Sequence, residues 1–137
     1  GKVLPEAFTC FTLSLDNLSE LTKRFGYTVG DGVLKDFAGL VQLMGDTEGM
    51  RGYNGVGRFV VFFEECSSKK AAAMIRILDN QVEEYNSLNP EYPIRYTAAW
   101  ATTEETDTYE IRELLRLSQK KWKQMEKEKK DKTEEET

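Results

Sequence analysis

Histidine is absent from this 137-residue sequence, which also has only two cysteines and three prolines. Without histidine, catalysis by a Ser/His or Cys/His pair is excluded. Cys10 and Cys66 lie far apart, without the spacing of metal ligands or of a redox pair, so a zinc site is excluded as well. We therefore predict that both cysteines are structural thiols in a reducing compartment.

Positive net charge and long apolar runs are also lacking. The net charge is −5, which argues against a nucleic-acid-binding surface. No apolar stretch is long enough to span a bilayer, and the short apolar start is not a signal peptide. Because the chain begins with Gly1 rather than Met, we expect it to be part of a longer protein. We also expect a cytoplasmic location, either as a cytoplasmic protein or as the cytoplasmic part of a membrane-anchored one.

The clearest local signal that is present is a β-hairpin across residues 51–63. Asn54-Gly55 is typical of a tight hairpin turn that needs positive φ, and Gly57 adds a second permissive position. The run 59–63 is rich in β-branched and aromatic residues, which predicts a strand buried on both faces. We expect Gly57 and Arg58 to lie at an exposed hairpin tip.

The remaining elements follow from hydrophobic periodicity and capping residues. Before the hairpin come a strand over 7–15, a helix capped by Asp16 or Asn17 and stopped at Gly26, and a second helix from 30–31 to about 44. After the hairpin comes a helix that is capped by Ser67 or Ser68 and ends at Asn89-Pro90. A strand over 94–101, which places Trp100 in the core, and a helix from Asp107 or Thr108 through Trp122 complete the domain. This order predicts an α+β domain over 1–126, with a mainly antiparallel central sheet flanked by helices in the ferredoxin-like or palm arrangement of nucleotidyl cyclases. A charged, flexible tail is predicted over 127–137.

Three stretches resemble the GGDEF domain of diguanylate cyclases. They are Ser14-Leu15-Asp16-Asn17-Leu18-Ser19, Gly26 to Leu34, and Gly55-Val56-Gly57-Arg58-Phe59. The positions that match the family pattern are Gly26, Gly30-Asp31, Leu34, Gly55 and Phe59. The resemblance covers nearly the whole domain in element order and implies two GTP molecules, one in each subunit of a dimer, joined with the help of Mg²⁺.

The positions at which the family carries its metal-binding carboxylates differ here. The first metal-binding Asp falls on Ser14, the acidic ligand of the turn falls on Gly57, and the next Glu is Arg58, whose positive charge repels a cation. The second glycine of the turn is Val56, which would crowd the phosphates. Asp16 remains, but a lone carboxylate does not make a two-metal site, so we expect neither Mg²⁺ nor catalysis.

The other ligand-binding positions are also depleted. The family's Lys is Ser19 and its guanine-binding Asn is Thr22, so only Asp31 remains to read the base. The product-binding Arg-x-x-Asp is replaced by Asp46-Thr47-Glu48-Gly49. The lysines of the last helix are interpreted as a solvated face rather than as phosphate ligands; they are Lys120, Lys121 and Lys123.

Three functions remain open at this stage. The leading one is a catalytically inactive GGDEF-like domain that serves as a regulatory or protein-interaction module in a bacterial cyclic-di-GMP signalling protein, with a protein partner, a neighbouring domain or a second copy bound to it. The alternative is a non-catalytic GTP sensor with a vestigial nucleotide site of Asp31, Arg58 and Asp16, in which Arg58 replaces the metal. The third is an unrelated palm domain with a structural role.

Overall fold

The computed structural model describes residues 6–44, 50–53 and 57–136 of the chain. Its elements are β1 (Thr9–Leu15), α1 (Leu18–Phe25), α2 (Tyr27–Gln42), β2 (Met50–Tyr53), β3 (Arg58–Phe63), α3 (Ser68–Leu88), β4 (Tyr96–Thr102), a 3₁₀ turn (Thr103–Glu105) and α4 (Ile111–Glu136). This order confirms the predicted α+β domain with a palm-like arrangement of strands and helices.

The central sheet has four strands in the order β2-β3-β1-β4, and every neighbouring pair is antiparallel. In β1, one of the two inner strands, Ser14 pairs with Arg58 of β3 on one side and with Thr97 of β4 on the other. Residues paired across strands share a face of the sheet. The register therefore brings these three side chains to one face, at the carboxyl end of β1.

Both faces of β1 are buried, because helices cover the sheet on either side. One face contributes Phe11, Leu13 and Leu15 to the larger core, formed with α1, α2 and α3. The other face carries Cys10 and smaller polar side chains and lies under α4. β1 is thus a central strand with an apolar face and a small polar face.

The two cysteines are buried free thiols, as the structural interpretation expects. Burial raises the pKa of the Cys10 thiol to about 11, and its hydrogen bond with Ser118 opposes that rise. Since the thiolate is the reactive form, Cys10 is held in its unreactive, protonated state.

Asn17 begins α1, but its side chain does not cap that helix. The side-chain amide donates to the Pro93 carbonyl at 2.7 Å, and its oxygen accepts the Arg95 N–H at 3.1 Å. Asn17 therefore ties the start of α1 to the approach to β4. Gly26 ends α1 as predicted, with φ of 97°. The next helix, α2, begins directly after it at Tyr27, earlier than predicted. A single glycine at positive φ is enough to separate the two helices, so no further loop residues are needed.

The last helix extends further than the sequence analysis predicts. The predicted flexible tail over 127–137 is wrong for residues 127–136, since α4 continues to Glu136. Lys, Glu, Gln and Met favour helix, and the Lys129 ammonium fixes the helix to the sheet by donating to the Tyr96 carbonyl at 2.8 Å and to Thr97 Oγ1 at 2.6 Å. Across the described residues, no helix combines the length and apolar character needed to cross a membrane.

Candidate functional site

Ser14 lies at the end of β1 and is 4% exposed. Its hydroxyl donates to Asp16 Oδ1 at 2.7 Å and accepts a hydrogen bond from Trp122 Nε1 at 2.8 Å. A hydroxyl has one proton to donate, so Ser14 uses its only donor on Asp16. The indole of α4 closes over the same oxygen, which leaves Ser14 buried beneath a large aromatic side chain.

Arg58, the cross-strand neighbour of Ser14, stacks on that indole. Its guanidinium carbon lies 4.4 Å from the centroid of the Trp122 ring, within the range of a cation–π contact. Arg58 is half-buried rather than exposed at a hairpin tip, so the predicted solvent-facing arginine is wrong. The cause is α4, which reaches across the sheet and covers the turn side of β3. We call Ser14, Arg58 and Trp122 the indole cluster.

Asp16 adjoins the indole cluster and is held by polar contacts. Its carboxylate accepts from Ser14 and from Thr97 Oγ1, the latter at 2.5 Å, and lies 3.6 Å from the Lys129 ammonium. The Asp16 side chain is 23% exposed. Both carboxylate oxygens therefore already have protein partners, and the positive charge beside them belongs to α4.

Gly57 is the residue at which the resemblance places the second metal-binding carboxylate. It is buried and adopts φ of 75°, and its carbonyl accepts the Leu15 N–H at 2.7 Å. A Cβ at this position would lie 3.2 Å from Leu18 Cδ2 and 3.4 Å from the Leu15 carbonyl oxygen. The expectation of an exposed tip is therefore wrong at Gly57 too, because Gly57 packs against Leu15 of β1 and Leu18 of α1.

The two positions at which the resemblance places base-reading residues are Thr22 on α1 and Asp31 on α2. Asp31 forms an ion pair with Lys35 one helical turn along α2, at 3.0 Å. Thr22 Oγ1 donates to the Leu18 carbonyl at 2.8 Å and lies so close to Gly30 that a Cβ there would be 2.3 Å away. The threonine hydroxyl thus fills the contact between the two helices instead of pointing out to a ligand.

The structure brings together only part of the predicted site. Asp16 and Arg58 both adjoin Ser14. Among the described residues, no hydrogen bond or ion pair joins Asp31 to either of them. The Asn54-Gly55 turn, Val56 and the segment 46–49 lie outside the described residues.

The family model described as "Diguanylate cyclase, GGDEF domain" matches residues 4–132. The chain belongs to the GGDEF domain family. The region that matches the family model extends past residue 126, into the part of α4 that was predicted to be a tail. A search of curated proteins finds no match for this GGDEF domain.

Several solved structures resemble this GGDEF domain in fold. The active GGEEF domain of a diguanylate cyclase from Vibrio cholerae superposes with a TM-score of 0.77 at 18% identity, over 90% of this chain and 78% of that one. An EAL/GGDEF domain protein from M. capsulatus gives 0.69 at 14% identity, over 90% and 80%. The GGDEF domain of a Caulobacter crescentus protein in complex with c-di-GMP gives 0.59 at 15%, over 70% and 59%.

The residues of this GGDEF domain do not fit the Mg²⁺ that its family implies. Mg²⁺ prefers anionic oxygen ligands in octahedral geometry, whereas the two positions at which the resemblance places its ligands hold the neutral hydroxyl of Ser14 and the hydrogen of Gly57. Next to them stands the Arg58 guanidinium, which has donors only. Within the described ranges, no group of three His, Cys, Asp or Glu side chains could hold a metal ion.

Sequence reasoning missed the contribution of α4 to this site. Leu114, Ser118, Trp122 and Glu126 recur every four residues, and this spacing, followed beyond the last apolar position, would have placed all four on one face of the helix. The prediction that Lys121 lies on a solvated face is also wrong. Its ammonium donates to the Trp100 carbonyl at 3.0 Å and pairs with a carboxylate oxygen of Glu105.

Proposed function

We propose that this GGDEF domain is catalytically inactive and serves as a regulatory or protein-interaction module in a bacterial cyclic-di-GMP signalling protein. The observation that carries the proposal is the indole cluster. Where the family has a metal-binding carboxylate, this chain has a serine hydroxyl that donates to Asp16 and accepts from Trp122. Because both hydrogen bonds of Ser14 are made within the protein, its side chain supports the packing of α4 rather than metal binding.

When two GTP molecules are joined, negative charge develops around the phosphate that is attacked. A metal ion stabilises that charge by several kcal/mol as a Lewis acid, and a factor of ten in rate corresponds to about 1.4 kcal/mol. Two missing carboxylate ligands therefore predict a loss of about 10⁴-fold or more. Arg58 cannot restore the metal, because its charge has the same sign as the ion.

The conformation of Gly57 gives independent support. Gly57 adopts positive φ and packs against Leu15 and Leu18. An acidic side chain there would meet the Leu15 carbonyl oxygen, and two oxygens that both only accept hydrogen bonds repel each other. The backbone around Gly57 is thus adapted to a residue without a side chain, which fits a domain that no longer needs a carboxylate at this position.

The GTP-sensor alternative depends on Asp31, Arg58 and Asp16, and each of these side chains already has a partner within the protein. Both carboxylate oxygens of Asp16 accept hydrogen bonds from the protein. Arg58 rests on the indole of Trp122 instead of projecting toward a ligand. The Thr22 hydroxyl is bonded to its own helix and lies against Gly30. The Asp31 carboxylate pairs with Lys35 of the same helix. These contacts favour the interaction module over the sensor.

The partner proposed for this module is a neighbouring domain or another protein of the same signalling system. GGDEF domains occur together with other domains, as the EAL/GGDEF domain protein from M. capsulatus illustrates. A domain that makes no product can still transmit a signal. Coupling between domains requires a binding surface whose affinity for its partner changes, and it does not require an intact active site.

The experiment that tests the proposal is incubation of the purified domain with GTP and either Mg²⁺ or Mn²⁺, followed by chromatography of the nucleotides. We expect no c-di-GMP above the level of a sample without protein. Metal-dependent c-di-GMP that disappears in Asp31→Ala would overturn the proposal, whereas a product that persists in this variant would point to a contaminating enzyme.

A further inference from the structure

The outer face of α4 carries a row of exposed cations. Its members repeat at intervals of four, three, four and three residues; they are Arg116, Lys120, Lys123, Lys127 and Lys130. We call these five residues the basic row, which is about 21 Å long at 1.5 Å per residue. With 3.6 residues per turn, this spacing keeps the row on one side of the helix. Ser118 and Trp122, by which α4 packs on the sheet, lie on the other side.

The positive charge of the basic row is largely unbalanced within the protein. Arg116 pairs with Glu113 of the same helix at 3.0 Å. Lys120, Lys123 and Lys127 make no ion pair with any side chain that the structure describes. Like charges four residues apart on a helix repel each other and destabilise it. Because sequences break such local rules mainly at functional sites, the row is a candidate binding surface.

The surroundings of the basic row are polar. Gln119 and Gln124 flank it and, together with four members of the row, line one shallow groove on α4. Every residue that lines this groove is therefore a cation or an amide. A partner that fits it must supply negative charge and hydrogen-bond acceptors rather than an apolar surface.

We propose that the basic row binds an acidic α-helix of a second protein, which carries Asp or Glu at intervals of three and four residues along one face. The inference rests on the proposed role as an interaction module and names the chemistry of the partner. Alternation of four and three residues is the spacing that keeps one face of a helix toward a neighbouring helix. An unbalanced charge at the surface also speeds the encounter of two separate molecules.

The basic row suits other anionic surfaces less well. Single-stranded nucleic acid is bound with aromatic side chains that stack on its bases, and a helix that lies on a membrane inserts apolar side chains. The groove has neither kind of residue. The net charge of the chain is −5, which opposes the approach of duplex DNA. Two copies of the row, facing each other, would place lysine against lysine.

Fluorescence anisotropy with stapled, alanine-based helical peptides tests the proposal. The matched peptide, of about 21 residues, carries glutamates at the intervals of the basic row. The control peptide has the same composition, with its glutamates distributed around the helix. At about 20 mM salt we expect saturable binding of the matched peptide and weaker binding of the control peptide. At about 500 mM salt, screening should abolish the binding of both.

Two double variants with the same change in charge separate the basic row from net charge. Since an exposed ion pair is weak, Lys123→Gln/Lys127→Gln should weaken binding of the matched peptide by about two- to thirtyfold. Lys23→Gln/Lys69→Gln, at exposed positions of α1 and α3, should leave the affinity within about twofold of the parent. All four positions are exposed and helical, so the fold should be kept.

Several results would overturn the proposal. They are no binding of the matched peptide, equal binding of both peptides, or an affinity that Lys123→Gln/Lys127→Gln does not change. Tighter binding of a short DNA duplex or of phosphatidylserine vesicles, lost in the same variant, would assign the row to a different partner, and row-dependent dimerisation in sedimentation equilibrium would assign it to a second copy. None of these results alters c-di-GMP formation, which reads the proposed inactivity separately.

Discussion

Replacing Gly57 by Asp, which restores the acidic residue of the GGDEF turn, should destabilise this domain. Gly57 adopts φ of 75°, a conformation that costs a residue with a side chain about 1 kcal/mol. The new Cβ would meet Leu18 Cδ2 at 3.2 Å. A carboxylate held near the Leu15 carbonyl oxygen would add about 1–3 kcal/mol for lost solvation without a donor. The expected loss in the free energy of unfolding is therefore about 2–4 kcal/mol.

Urea denaturation measures this free energy of unfolding. Two sets of variants separate the cost of the backbone conformation and the Cβ contact from the cost of the charge. Gly57→Ala carries the backbone and contact cost without the charge, so it should lose about 1–2 kcal/mol. Gly39→Asp and Gly39→Ala are the matched controls, because Gly39 is helical and a Cβ there meets nothing within 4 Å. Neither control should destabilise the domain, since glycine is the poorer helix former. A Gly57→Asp protein within about 0.5 kcal/mol of its parent, the range of ordinary surface changes, would refute the reasoning.

Two further predictions concern the indole cluster and the nucleotide. In a double-mutant cycle, Arg58→Ala should cost about 0.5–1 kcal/mol of unfolding free energy and Trp122→Ala about 3–5 kcal/mol. The double variant should lose less than their sum by about 0.5 kcal/mol or more, whereas additive losses would mean that the two side chains do not interact. In calorimetry, GTP near millimolar concentration should give no saturable heat with Mg²⁺ or with a chelator. A chelator-resistant micromolar dissociation constant, weakened by both Asp31→Ala and Arg58→Ala, would instead establish the sensor.

The order of the elements could be predicted because it depends on local signals. Gly26 stops α1, and Ser67 caps α3 by accepting the Lys70 N–H at 3.1 Å. The run 59–63 is rich in β-branched and aromatic residues, which favour a strand. These signals act within a few residues of one another, so they are visible without knowledge of the tertiary structure.

The indole cluster could not be predicted because it joins residues that are distant in sequence. Ser14 and Trp122 are brought together only when β1 and α4 pack, and Arg58 reaches the indole only in the register that pairs β1 with β3. Composition made the end of α4 look like a solvated tail. Lys129 changes that assignment, because a charged side chain can reach over the sheet edge and donate to its carbonyl oxygens.

The central claim, that this GGDEF domain has lost its metal-dependent chemistry, is tested most directly by a quantitative rate of c-di-GMP formation. The measurement compares this domain with an active GGDEF domain at equal subunit concentration, with GTP and saturating Mn²⁺. Because each missing carboxylate should cost about 10²-fold or more, we predict a rate at least about 10⁴-fold below the active domain. A rate within about 10²-fold of the active domain, abolished by chelator and by Asp31→Ala, would contradict the account.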